Sequence, residues 1–422
     1  MSRLVETVFP ERLGRSFRWL VASSWTTNIG DGLMMAAGPL LVASQTHDPT
    51  LVAAATMARL LPWLLFGLIA GALADRLDRR LVVMVMDGAR AVVLAGLCAV
   101  IYTGQVNIWL VLVAMFLVGV AEVFADTTTS TLTPMLVDKE DLGVANARIM
   151  AGFLTANQLV GPAVGAVLFT AGMAWPFLVQ TICVGMGVVL VSRIATPKGA
   201  VREHVDTHVR QDIVEGVRWL MGNGPVRTLA LVIVAFNVTW AAPWAVLVLW
   251  ALQRVGIDEA GFGLLTTASA LGGLLGTFSY GRIEKRVPLA TLMRAVLACE
   301  VVFHLAMALT TSPYAAYPLM FFFGAYAFVW GTLSNAVRQR AVPTEFQGRV
   351  GSVYMLCVMG GMMAGSFLGG LIARQWGVTA PWWFAFIGSG LTLALVWREL
   401  AKIAHADEAG VVEVPDEASP GR

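Results

Sequence analysis

Five ionisable residues lie in stretches that are otherwise apolar: Asp31, Arg59, Arg90, Glu122 and Glu300. A charge at mid-bilayer costs about 3 kcal/mol or more unless it is paired or wetted, so each of them requires a partner or water. Asp31 and Arg59 fall at similar depths on adjacent runs, which permits a static pair, and Glu122 has Arg90 as its nearest basic candidate. Glu300 has Arg294 and His304 within reach. Two aromatic pairs at i, i+4 spacing, Trp240 with Trp244 and Tyr326 with Trp330, offer flat faces either for packing or for a bulky apolar or cationic molecule. Trp109, Trp175, Trp376, Trp382 and Trp383 fall near the ends of apolar runs, where tryptophan marks a lipid interface.

The elements that position these residues follow from composition. Of 422 residues 57% are hydrophobic and 13% charged, with a mean hydropathy of +0.73, which indicates a membrane protein. At about 20 residues per crossing of a ~30 Å hydrocarbon layer, the apolar material suffices for about a dozen helices. The runs are long and unbroken, unlike the short alternating segments of a barrel. They read as spans at 17–43, 51–73, 81–102, 108–134, 142–171 and 175–193, then 228–252, 260–280, 288–310, 315–337, 350–373 and 378–397. The chain therefore divides into a 1–16 terminus, a 17–195 six-helix bundle, a 196–226 linker, a 227–403 six-helix bundle and a disordered 404–422 tail. Within the linker, Val209 to Met221 patterns as an amphipathic surface helix. His204, His208 and Asp212 have metal-ligand spacing there, but a solvated face accounts for them and no metal is implied.

Lysine and arginine concentrate on alternate loops, which places both termini and the linker on the cytoplasmic side. Cys98, Cys183, Cys299 and Cys357 all fall inside apolar runs and read as buried thiols rather than a disulfide framework. A shift of 205 positions brings Gly71 onto Gly276, Arg80 onto Lys285, Glu140 onto Glu345 and Gly165 onto Gly370, a weak internal repeat that fails at Asp75 and Arg79. No G-x-x-x-x-G-K-[ST] loop is present, so this chain is not itself an ATP-driven pump, and its short loops hold no Ser/His/Asp cluster.

Between the second and third spans, Gly71-Ala-Leu-Ala-Asp-Arg-Leu-Asp-Arg-Arg80 packs five charges into six residues. With Gly71, Asp75, Arg76, Arg79 and Arg80 at this spacing, the chain resembles the major facilitator superfamily of secondary transporters. Asn28-Ile-Gly-Asp31, Ala121 to Asp126, Ala145-Asn-Ala147 and Gly348-Arg-Val350 make it similar to the branch of macrolide-efflux proteins and enterobactin exporters. The resemblance implies an all-α membrane protein of twelve transmembrane helices in two pseudo-symmetric six-helix bundles. It implies a central cavity lined by the first, fourth, seventh and tenth spans, so that Asp31 and Glu122, with Arg59, are the candidates for proton coupling. Asn28, Trp240, Trp244, Tyr326 and Trp330 are candidates for lining that cavity. By the same resemblance Asp75 latches onto a helix N-terminus of the other half, favourable to negative charge, and Arg79 or Arg80 bridges to Asp126 as a conformational switch. Gly161, Pro162 and Gly165 resemble part of an antiporter motif in which proline bends the helix and glycine admits a neighbour.

The reading is a proton-coupled exporter of amphipathic small molecules in the bacterial cytoplasmic membrane, working as a monomer by rocking of its halves. Its partners are a small-molecule substrate, protons and the bilayer, with no enzyme activity, cofactor, metal or nucleic acid. Two other readings share the same spans: a dedicated exporter of one metabolite, siderophore or lysolipid, and a non-transporting sensor or scaffold.

Overall fold

Short polar side chains set where the helices begin. Asp48 accepts from Thr50 N, Asp78 from Leu81 N, Asn107 from Leu110 N, Asn223 from Val226 N and Asp258 from Gly261 N, each satisfying a backbone donor that the first turn leaves open. Proline occupies the first turn of several others, where its missing N–H costs nothing. The second acid of the 71–80 loop, Asp78, is thus a cap. The computed structural model describes residues 11–195, 209–343 and 346–404. The expectations about His204, His208 and the tail beyond residue 404 lie outside the described residues, as do the side chains of Asp75 and Asp212.

Twelve long helices follow: α1 Gly14–Gln45, α2 Pro49–Arg76, α3 Arg79–Tyr102, α4 Ile108–Leu136, α5 at 142–171, α6 Trp175–Val191, α7 Gly224–Trp244, α8 Glu259–Glu284, α9 Leu289–Leu309, α10 Pro313–Ala341, α11 Gln347–Trp376 and α12 Ala380–Val396. Among the described residues nine helices are long and apolar enough to cross a membrane, and α6 and α12 are shorter apolar helices. The remaining one, α1, is 32 residues long and carries the polar Ser23–Asp31 stretch. A separate helix, Val209–Gly222, joins the halves. The seventh span ends earlier than the hydropathy suggests: Pro243 lacks the N–H that would continue the ladder, and the chain turns and resumes as Leu247–Trp250.

In α5 the helix widens to π-helical Phe153–Val160 directly before Gly161-Pro162, the local form that the bend takes. Small residues then bring backbones together. A Cβ on Gly161 would collide with the backbone of Gly32, and one on Gly165 with that of Leu33, so α5 lies directly against α1. On the other side of α1, Gly30 is pressed against Gln180 and Cys183 of α6. The second half is built the same way: Gly365 and Gly369 of α11 meet Val238 and Ala242 of α7. Gly119 of α4 packs on α2 and Gly324 of α10 packs on α8, and these two glycines are themselves 205 positions apart. Close approach of this kind is how helices associate where lipid removes the hydrophobic drive.

The halves meet through α2 with α11 and α5 with α8. Gly370 rests on Ala53 and Pro49, and Gly263 on Pro162 and Ala166, all near the face opposite the 71–80 loop. Arg374 approaches Asp48 at 3.9 Å at that face. The ion pairs at the loop face, Arg12–Asp141, Glu284–Arg340 and Glu215–Arg349, each stay within one half or tie the linker helix to the second half.

The four cysteines are free and buried or half-buried. Trp109, Trp175, Trp376 and Trp383 are exposed as an interfacial role requires, but Trp382 is wholly buried among Trp244, Trp250 and Phe303. Its position near a span end hid the fact that it faces the bundle interior.

Replacing Gly161 by Ala should destabilise the protein by about 1–3 kcal/mol, the usual cost of forcing atoms into a packed contact. The same change at Gly88 or Gly185, where a Cβ meets nothing within 4 Å, should be neutral. Thermal unfolding of the purified variants in detergent measures the difference.

Candidate functional site

The glycine contacts fix where the membrane charges point. Held between α5 and α6, Gly30-Asp31-Gly32 turns the Asp31 carboxylate toward α3, where it accepts from the Arg90 guanidinium in a very close pair. Gln180 Nε2 donates to the same carboxylate at 3.3 Å, and Asp87, one turn before Arg90, stands 3.9 Å from Arg90 Nη1. On the next pair of helices, Gly119 lets α4 touch the backbone of Arg59. Glu122, one turn further along α4, meets Arg59 Nη2 at 3.5 Å.

The pairings are therefore the reverse of those expected. Asp31 pairs with Arg90 rather than Arg59, and Glu122 with Arg59 rather than Arg90. Depth alone suggested the wrong partners because it carries no information on which face of each helix is turned inward. Arg90, on a peripheral span, is 2% exposed and anchors the buried side of the site.

Asp126 falls in the same cluster, with Glu122, Arg90 and Arg59 as its charged neighbours. In this conformation Arg79 donates to Ala74 O at 3.1 Å and contacts Met135 Sδ, and Arg80 donates to Ser192 O. The bridge from either arginine to Asp126 is not among these contacts, because Asp126 lies further along α4 toward the mid-membrane charges. Gly71 is not at a close approach, since a Cβ there would meet nothing within 4 Å, and Arg76 is exposed. Asp31, Asp87 and Glu122 thus stand at ion-pair distance from two guanidinium groups, with Asp126 one turn further along α4. Asp87 went unnoticed in the sequence, although a lone acid three residues before a buried arginine in an apolar run was the signal for it.

Two spaces adjoin the cluster. A small recess of about 20 Å³, room for about one water, is bounded by Asp31, Arg59, Arg90, Glu122 and Gln180. A cavity of about 830 Å³ runs between the halves and is bounded by Arg59, Glu122, Gln158, Pro162, Trp240, Trp244, Asn335 and many apolar groups. Arg59 and Glu122 border both, so this pair separates the large cavity from the buried Asp31–Arg90 pair. The cavity draws on α2, α5, α8 and α11 as well as the four helices expected to line it. Its size and its few polar groups in an apolar wall are those of a small-molecule site.

Trp240 and Trp244 pack on each other at 5.5 Å and also face the cavity. Tyr326 and Trp330 instead line an adjoining chamber of about 270 Å³ in the second half. Asn28 is turned back on its own helix, donating to Ser24 O at 2.7 Å.

At the opposite face, the Thr50 hydroxyl and N–H, with the Arg374 guanidinium, hold Asp48 below the usual carboxylate range. Such a group contributes stability that is complete above the ordinary carboxylate value and is lost only as pH falls through the lowered one.

Matches to known proteins agree with this architecture. A family model described as transmembrane secretion effector matches residues 10–415. The chain is 25% identical over 374 residues to the multidrug efflux pump Tap of Mycolicibacterium fortuitum, covering 86% of this chain and 90% of that one. It is 24% identical over 390 residues to macrolide efflux protein A of Streptococcus pyogenes, covering 87% and 91%. With the enterobactin exporter EntS of Escherichia coli O1:K1 it shares 23% over 402 residues, 92% and 93% of the two chains. Among solved structures, an inward-facing bacterial homologue of the iron transporter ferroportin superposes with a TM-score of 0.76 at 15% identity, over 92% of this chain and 98% of the other. The nucleoside transporter NupG superposes with a TM-score of 0.70 at 12% identity, over 92% and 100%.

Removing one member of the buried pair, by Asp31→Asn or Arg90→Leu, should cost about 3–5 kcal/mol because the other charge is left stranded. The double change Asp31→Leu with Arg90→Leu should cost less than the two single costs added, as measured by a thermal-unfolding cycle. Asp48→Ala should lose about 1 kcal/mol of capping, and by the same amount at about pH 5 and pH 8, since the carboxylate is ionised at both.

Proposed function

The chain belongs to the transmembrane secretion effector family of the major facilitator superfamily, and from that premise we propose that it is a secondary active exporter of amphipathic small molecules, driven by proton exchange. The observation that carries this reading is the Arg59–Glu122 pair, which stands on the wall of an 830 Å³ cavity and backs onto a buried Asp31–Arg90 pair. Substrate and proton then compete for one place. A bulky apolar molecule entering between the tryptophans crowds the Arg59–Glu122 contact. A proton arriving at Glu122 releases Arg59 to one of the neighbouring carboxylates and resets the site.

Orientation follows from the basic loops, which put both termini and the 71–80 loop in the cytoplasm. On that assignment the clasp formed by Gly370, Gly263 and the Asp48–Arg374 contact closes the outer face, and the cavity is served from the cytoplasm or the inner leaflet. Export requires the clasp to part and the loop face to close, and the 71–80 loop, through Asp75, Arg79 and Arg80, then makes new contacts across the halves. The bend at Gly161-Pro162 and the glycines of α11 give the two hinging helices, since α5 and α11 each touch both halves. The names of its relatives, a multidrug pump, a macrolide exporter and a siderophore exporter, support export and leave the substrate to experiment.

In everted vesicles, Glu122→Gln should reduce pH-gradient-driven efflux at least about tenfold, the loss of a general proton carrier, while Asp31→Asn reduces both efflux and folded yield. Undiminished proton-dependent efflux when Glu122→Gln and Asp31→Asn are combined would refute the coupling assignment.

A further inference from the structure

We infer that the chamber around Glu300 in the second half is a binding subsite for an organic cation, the positively charged group of the substrate resting between aromatic walls with Glu300 as its counter-ion. The inference rests on the transport reading above for the route by which such a molecule arrives. The chamber holds about 270 Å³ and shares Trp240, Phe323, Ala327 and Met362 with the large cavity. It is therefore a side room of the cavity.

Its walls are Phe236, Trp240, Phe323, Tyr326 and Trp330, and Glu300 is the one acid on them. Glu300 is 7% exposed. Its partner at ion-pair distance among the described residues is His304, whose Nε2 stands 3.4 Å away and whose Nδ1 lies 3.4 Å from Ser389 Oγ. The Tyr326 phenol is its other polar neighbour, without the geometry of a formed hydrogen bond. Arg294, on the same helix, turns away: it donates to Trp397 O at 3.0 Å and stacks over the Trp397 ring.

Internal symmetry sharpens the contrast. Shifted by 205 positions, Asp31, Val118 and Glu122 of the small recess fall on Phe236, Phe323 and Ala327 of this chamber. The two spaces correspond at these three positions. In the first half, arginines answer the acids and the space has shrunk to about 20 Å³. In the second, the corresponding positions are aromatic or small, the space stays open, and the acid has moved to α9, where no guanidinium among the described residues lines the chamber with it. Glu300 itself has no counterpart in the first half, where the position 205 before it is Ala95. On the wall of this aromatic room the carboxylate is met by the His304 ring but, among the described lining residues, by no guanidinium or ammonium group, which leaves a place for an organic cation, and ring faces attract the same charge.

The test uses the purified full-length protein in detergent and equilibrium dialysis at neutral pH, with tetraphenylphosphonium and the uncharged triphenylphosphine oxide as probes. The wild type should prefer the cation at least about tenfold, the ratio that 1.4 kcal/mol of charge recognition gives. Glu300→Gln should remove that preference while leaving the phosphine oxide within about twofold, and Glu300→Asp should restore most of it. Similar affinity of the wild type for both probes, no saturable binding of either, or an equal loss of both in Glu300→Gln would each overturn the proposal. Absence of a cation preference in the wild type overturns the proposal even if a variant fails to fold, and a preference is assigned to Glu300 by either variant that folds. Because no gradient is applied, the result stands apart from any failure of pH-driven efflux.

Discussion

A charge can stay in an apolar layer only if another group answers it, and the Asp31–Arg90 contact meets that condition at the centre of the first half. The contact exists because three helices come unusually close. Gly32 admits α5, Gly30 admits α6, and the aspartate between them reaches Arg90 of α3 and Gln180 of α6. The motif glycines of α5 and the acid of α1 are parts of one construction. Gly161 and Gly165 bring no chemistry of their own and set the position of a residue that does.

Around that anchor the remaining charges form a graded series. Arg90 and Asp87 are buried, Asp31 beside them is partly buried, Glu122 and Arg59 stand at the cavity wall, and Asp126 is their exposed neighbour one turn along α4. Because Arg59 has several carboxylates within reach, a change of partner costs far less than stranding a charge. That is the property a site needs if it is to respond to a proton or a substrate without unfolding. The second half has Phe236, Leu264, Ala295 and Ala327 at the positions of Asp31, Arg59, Arg90 and Glu122, so in the proposed cycle the two bundles divide recognition and coupling between them.

The clasp at the opposite face depends on the same small-residue principle. Gly370 and Gly263 allow the halves to meet across α2 with α11 and α5 with α8, and a surface held by glycine contacts and one long ion pair is one that can separate. Interfaces of this sort behave as two-state elements, which fits a protein whose two halves must exchange open faces.

The sequence by itself determined the membrane class, the twelve helices and their approximate ends, because hydropathy, caps and turn residues are local and each span is longer than the error in placing it. It also marked Asp31, Arg59, Arg90, Glu122 and Glu300 as residues in need of partners, since their cost in lipid does not depend on the fold. Only the tertiary structure decided who pairs with whom. Asp31 and Glu122 exchanged their expected arginines, Asp126 joined the central cluster, Asn28 turned onto its own helix and Trp382 went inside. Each of these depends on how a helix is rotated about its axis, and that rotation is set by contacts such as Gly32 on Gly161 and Gly119 on Arg59, between residues far apart in the chain.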